Sequence, residues 1–216
     1  KHYRSMYLCH LNNTIIMPCY NLPPSTYFNL DQYNTPTFVY AGNAAAWQGV
    51  DLMLDVYALV EYELPNARLM LLSRNEKEFK EKIAARGIKN YGIKYVSMDE
   101  LQDELHQYKY GFILRDNHIV NRVATPTKMN SYLSNYLIPI FSNTVDDFNR
   151  HIELGEFTIK AQYPLDARSI AKQIIDFENV SNDFSKYKSY VDRIFESHYN
   201  DEIYLGIIDS KIKNWF

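Results

Sequence analysis

The chain has 216 residues, 46% hydrophobic and 23% charged, which suits one domain or one and a half around a sizeable core and is too apolar for disorder. A formal net charge of −3 excludes a general nucleic-acid binder, because no face can carry a large phosphate-neutralising excess without a matching acidic face elsewhere. Cys9 and Cys19 are too few for a disulfide framework, and no apolar run approaches the length of a membrane span, so the chain reads as cytoplasmic, with peripheral attachment to the inner face of a membrane left open.

Residues 1 to 35 hold one apolar run, Ile15-Ile16-Met17, then Pro23-Pro24 and a polar, tyrosine-dotted stretch to Pro36, the composition of a connector. From Thr37 strands and helices alternate. A strand at 37–41 precedes an amphipathic helix from about Trp47 to Glu63, with Val50, Leu54, Tyr57 and Val60 on its apolar face. A strand at 68–72, a charged helix at 77–86, a strand at 91–96 and a helix opened by Met98-Asp99-Glu100 follow. Strands at 111–114 and 138–141 flank a further helix, whose Met129, Tyr132, Leu133 and Tyr136 give it one apolar face. This alternation predicts an α/β fold with a doubly wound, Rossmann-like parallel sheet. Beyond Asn143 the pattern turns helical, at 146–153, 166–179, 184–198 and 201–215, with a short strand at 157–160. Ile207, Ile208, Ile212 and Trp215 form an apolar face on the last helix, suited to packing on this domain or on another. The divisions expected are a connector over 1–35, a nucleotide-binding domain over 36–199 and a carboxyl-terminal helix over 200–216.

The polar residues gather where the strands end, the edge at which open α/β sheets bind ligands. Gly42 would let the backbone approach a ligand closely, although a simple strand–helix turn needs glycine too. Its spacing from Gly49 fits neither a dinucleotide fingerprint nor a P-loop. Arg74, Arg115 and Arg122 follow strand ends, with Glu76 and Asp116 available as alternative partners for the first two. Thr125-Pro126-Thr127 offers a hydroxyl cap, and Lys128 stands in the first turn of the helix. A lysine there opposes the helix dipole, so a bound anion explains it better than helix stabilisation does. His118 could touch a hydroxyl or simply face solvent, and Asn121 could close an Asx turn shaping the loop. No His spacing matches a metal site, so none is expected. The 19 tyrosines suit packing first and sugar contacts second.

The run from Asn121 to Leu133, ending in Ile138-Pro139-Ile140, resembles the N-x-x-x-(S/T)-P-x-K-x-x-E-Y-L … P-V-I signature of bacterial family-four glycosyltransferases of the GT-B fold. Phe38-Val39-Tyr40-Ala41-Gly42 with Trp47-Gln48-Gly49 is similar to that family's glycine loop. The resemblance implies the carboxyl-terminal, donor-binding half of a retaining glycosyltransferase. That half would need no cofactor and take its partner domain from upstream of the connector. Its ligands would be a nucleotide-diphosphate-sugar donor and a glycan or lipid-linked acceptor, as in polysaccharide biosynthesis. The donor-binding residues implied are Gly42, Asn43, Arg74, Arg115, His118, Asn121, Arg122, Thr125, Thr127, Lys128 and Ser131, with catalytic side chains unassigned. Two departures stand out. The family's paired acids fall on Val123 and Ser131, and its glycine-loop cations fall on Asn43 and Gln48. These departures motivate a second reading, a non-catalytic scaffold or partner of the same fold in polysaccharide assembly; a small-molecule sensor leaves the Pro-x-Lys run without a role.

Overall fold

The structure is a computed structural model and describes residues 15–213. Six strands, β1 (Thr37–Ala41), β2 (Arg68–Leu72), β3 (Tyr91–Lys94), β4 (Tyr110–Ile113), β5 (Ile138–Ser142) and β6 (Ile159–Ala161), form one sheet in the order β3-β2-β1-β4-β5-β6. Every neighbouring pair is parallel. The apolar runs explain the order: β4 and β5 are buried along their whole length and lie inside the sheet, whereas β3, with Tyr91 and Lys94 exposed, is an edge. Running from β1 to β2 to β3 the chain winds one way, and from β4 onward it winds the other, so the direction reverses between β1 and β4.

The helices are α1 (Val50–Glu63), α2 (Glu76–Ala84), α3 (Leu101–Leu105), α4 (Ile119–Val123), α5 (Lys128–Ser134), α6 (Asp146–His151), α7 (Ala167–Glu178), α8 (Phe184–Ser197) and α9 (Asp201–Lys213). The expected apolar face of α1, Val50, Leu54, Tyr57 and Val60, is buried, and α1 packs against α7. Several boundaries differ from the sequence expectation. α1 begins after Gly49, because Ala46–Gln48 form a 3-10 turn that Gly49 closes at φ 64°. The third strand stops at Lys94, and α3 starts at Leu101 rather than at Met98. The helix α4 was not expected. It is one short turn with Val120 and Val123 turned to solvent, so no apolar period announces it.

Residues 20–34 are docked on the domain. The Asn130 side chain accepts from the backbone N–H groups of Asn21 and Leu22 and donates to the Leu22 carbonyl. Gln32 donates to the carbonyls of Tyr108 and Asn135, and the Tyr33 ring stacks on Phe184 with centroids 4.0 Å apart. The tyrosines serve packing in the main: Tyr57, Tyr110, Tyr132 and Tyr187 are fully buried, and the Tyr57 and Tyr187 hydroxyls each reach a backbone carbonyl. On α9, Tyr204 is buried while Ile203, Leu205, Ile207 and Ile212 stay exposed; Trp215 lies outside the described residues. Among the described residues no helix is long and apolar enough to cross a membrane.

The ion pair between Lys109 and Glu178 is deep enough to matter to stability. Lys109 Nζ lies 2.7 Å from Glu178 Oε1 with both side chains largely buried, and the Tyr110 hydroxyl donates to the same carboxylate. Removing one partner strands a buried charge, so Glu178→Ala should cost about 3–5 kcal/mol in urea unfolding. The double change Lys109→Met with Glu178→Leu should cost much less than Glu178→Ala alone.

Candidate functional site

The reversal between β1 and β4 opens a crevice at the carboxyl ends of those strands, and the residues flanking it are short of Cβ atoms. Gly49 closes the loop after β1 in the left-handed region, and a Cβ there would lie 2.5 Å from the Leu114 carbonyl oxygen at the end of β4. A Cβ on Gly42 would lie 2.6 Å from Lys128 Nζ, so the space beside Gly42 is taken by an ammonium. In β4, Gly111 leaves room for the Tyr132 ring, which would otherwise come within 2.3 Å of a Cβ. Tyr132 in turn reaches across to β1, its hydroxyl oxygen accepting from the Ala41 N–H at 3.1 Å. Together these contacts fix α5, with Lys128 at its start, against the first loop.

Lys128 is half-buried, and its Nζ donates to Gln48 Oε1 at 2.8 Å and lies 4.3 Å from the centroid of the Tyr40 ring. The Tyr40 hydroxyl donates to the Asn43 carbonyl, which holds the ring in place below the ammonium. Burial, and secondly the like charge of Arg115, lower the Lys128 pKa to about 7. Arg115 is itself buried, and burial holds its guanidinium below the ordinary range. Its Nη1 points to the Trp47 carbonyl at 3.4 Å, and its backbone is clamped by Ser142 and Thr144 at the end of β5. Among the described residues neither cation has a carboxylate partner; Arg115 does not pair with Asp116. The site brings two basic side chains together, held by a carboxamide, an aromatic face and a backbone carbonyl.

The remaining residues singled out from sequence take varied positions. Asn43 Oδ1 accepts from the Ala45 N–H and shapes the first loop. Asn121 is buried and donates to the Asp116 carbonyl, shaping the second. His118 caps α4, its Nδ1 accepting from the Val120 N–H, and the exposed Arg122 donates to Asn117. Arg74 lies 4.2 Å above the Tyr95 ring rather than on Glu76. Thr125 is half-buried, and Thr127 occupies the N-cap of α5 without a side-chain bond, so the expected hydroxyl cap is not formed there. Ser131 is buried, and its hydroxyl donates back to the Thr127 carbonyl at 3.2 Å. Val123 is exposed. Tyr40, Trp47 and Tyr132 were missed as site residues, because in sequence they read only as strand, turn and helix-face positions.

No protein-family profile matches the sequence, and no curated protein matches it. Solved structures do match the fold. WaaG, a glycosyltransferase involved in lipopolysaccharide biosynthesis, superposes with a TM-score of 0.69 at 10% identity over 94% of this chain and 56% of its own. TarM of S. aureus, solved with UDP and α-GlcNAc-glycerol, gives 0.69 at 12% identity over 97% of this chain and 40% of its own. The pneumococcal O-GlcNAc transferase GtfA, solved with UDP and GlcNAc, gives 0.69 at 13% identity over 99% and 44%. The fold is that of one half of a GT-B glycosyltransferase. This chain spans about half, or less, of each of those proteins. Near the ends of β1, β3 and β4, Trp47 in the 3-10 turn, Tyr95 after β3 and Val120 and Val123 on α4 are exposed.

The low pKa of Lys128 makes the site measurable through stability. An ordinary lysine titrates at 10.5 and Lys128 at about 7, so between these values the unfolded chain holds a proton that the folded chain lacks. This group's contribution to stability therefore rises with pH across that window and is least below pH 7. Lys128→Met keeps the aliphatic stem and removes the charge. Its urea midpoint should exceed the parent's most clearly below pH 7, with the gap closing toward pH 10.5.

Proposed function

We propose that this chain is the donor-binding half of a retaining glycosyltransferase. It would move a sugar from a nucleotide-diphosphate donor to a glycan or lipid-linked acceptor, with the acceptor face and the remaining catalytic groups supplied by a second domain docked over the crevice. The observation that carries this reading is the pair at the switch point, the half-buried Lys128 and the buried Arg115, with no carboxylate partner among the described residues. Burying uncompensated cations is costly, and the cost is recovered when an anion arrives. A diphosphate fits: it would meet the two charges together with the positive end of α5, which favours an anion as well. As the glycosidic bond breaks, negative charge grows on the departing diphosphate, and fixed donors in a dry site stabilise it without reorganising. UDP in the solved GT-B neighbours makes a UDP-sugar the first donor to try.

The second reading is a non-catalytic partner that keeps the fold. Val123 faces solvent and the Ser131 hydroxyl is engaged with Thr127, so neither offers the acidic contact of the resembling signature. Calorimetric titration with UDP-sugars separates the two readings. Saturable binding that weakens by about 1.5–3 kcal/mol in Lys128→Ala supports the donor site, since that is the range for a hydrogen bond to a charged group. Lys128→Glu should weaken it further, and Ser131→Ala should change it little. No binding by any nucleotide-sugar favours the scaffold.

Protonation gives an independent readout. Above pH 7 the free Lys128 is mostly neutral, and an arriving diphosphate raises its pKa. Donor binding at about one pH unit above that value should take up close to one proton, read from the dependence of the binding enthalpy on buffer ionisation enthalpy. Affinity should fall as pH rises through this range, and Lys128→Ala should abolish the uptake.

A further inference from the structure

A second cluster of side chains is assembled outside the crevice. Asp147 in the first turn of α6, His151 at its end and His198 just past α8 bring a carboxylate and two imidazoles together, with ligand atoms all within 4.8 Å of one another. His198 Nε2 lies 3.4 Å from Asp147 Oδ2, and His151 Nε2 lies 4.0 Å from Asp147 Oδ1. Asp147 and His151 share one face of α6 by their four-residue spacing, and the third group arrives from another helix. Spacing along the chain therefore gives no sign of the cluster.

What sets it apart from a surface ion pair is burial without satisfaction. His198 is only 3% exposed, yet its Nε2 has no hydrogen-bond partner, and neither has the Asp147 Oδ2 that faces it. Buried polar atoms are nearly always paired, so two facing orphans need a cause. We propose that Asp147, His151 and His198 bind a zinc-class divalent cation. Imidazole nitrogens and a carboxylate oxygen are the ligands such an ion takes, and bonds of about 2.0–2.2 Å place adjacent ligand atoms about 3.3 Å apart. The separation between His198 and Asp147 already meets that value.

His151 completes the set by turning. The two imidazoles are stacked, 5° from parallel with centroids 4.2 Å apart, so their nitrogen lone pairs run side by side instead of converging. One ring must leave the stack for both to face one ion. His151, with 45% of its side chain exposed, is free to turn, whereas His198 at 4% is held. An open groove lined by Arg150, His151, Glu153, Tyr190, Arg193 and Ser197 leads from solvent to His151. The ion enters from there, and its fourth position faces the groove and takes water. Bound, it ties the helix that follows β5 to the end of α8.

The test is calorimetric titration of the whole chain, stripped of metal and of any histidine tag, with zinc chloride. One ion per chain is expected, together with a higher melting temperature in zinc. Because second-shell changes alone cost about 10–100-fold in metal affinity, His151→Ala and Asp147→Asn should each weaken binding by more than tenfold and remove the thermal shift. His151 is exposed, so His151→Ala should fold, as its circular dichroism will show. Cobalt in place of zinc should give the strong visible bands of a four-coordinate centre, absent in His151→Ala. Failure to saturate at one ion, or equal zinc affinity in parent and His151→Ala, overturns the proposal and leaves Asp147 and His198 as a plain ion pair.

Discussion

A close approach of side chain to backbone organises this site. Lys128 Nζ lies 2.6 Å from where a Cβ on residue 42 would be, and from there it reaches Gln48 Oε1 and the face of the Tyr40 ring. Glycine at 42 thus does more than permit a turn. It leaves room for an amine that has no carboxylate partner among the described residues, and burial, with the nearby Arg115, lowers the Lys128 pKa. Two further absent Cβ atoms keep that geometry in place, one seating the first loop on Leu114 and the other seating Tyr132 on β4. The crevice is built from what the backbone leaves out, and side chains from the opposite element fill the gaps.

Most of the sheet was legible because its strands are short apolar runs between polar stretches, and runs buried on both faces leave little choice of partner. What could not be read has specific physical causes. The edge strand β3 has few buried residues to mark its end, so its limit at Lys94 is set by pairing with Leu72 and not by composition. The helix α4 is too short for a period to appear and presents Val120 and Val123 to solvent, which reads as loop. Lys128 stood out in the sequence because a lysine in a helix's first turn conflicts with the dipole, and the structure places it beside Gly42, Gln48 and Tyr40. Tyr132 sits on the apolar face that its spacing predicts, yet its hydroxyl works across the sheet on Ala41. No periodicity distinguishes a ring that only packs from one that also reaches a backbone amide.

The departures from the resembling signature remove charges of both signs from the site. Position 131 stands three residues after Lys128, where side chains on a helix are neighbours. An acid there would lie close enough to pair with the ammonium and to keep its pKa near the ordinary value. Serine instead returns its hydroxyl to the Thr127 carbonyl and leaves Lys128 with a neutral carboxamide. Gln48 and Asn43, in place of loop cations, limit the positive charge in turn. The result is a site with fewer charges of both signs, in which the surviving cations have nothing within the described residues to neutralise them. Such a site gives up the stability that a partner acid would supply. An anion that meets both Lys128 and Arg115 removes two burial penalties at once. A ligand bearing a single charge between them removes one, and the repulsion between the two cations remains. On the donor-site reading proposed above, that difference, set by the pair and not by either residue alone, would favour a diphosphate over a monoanion.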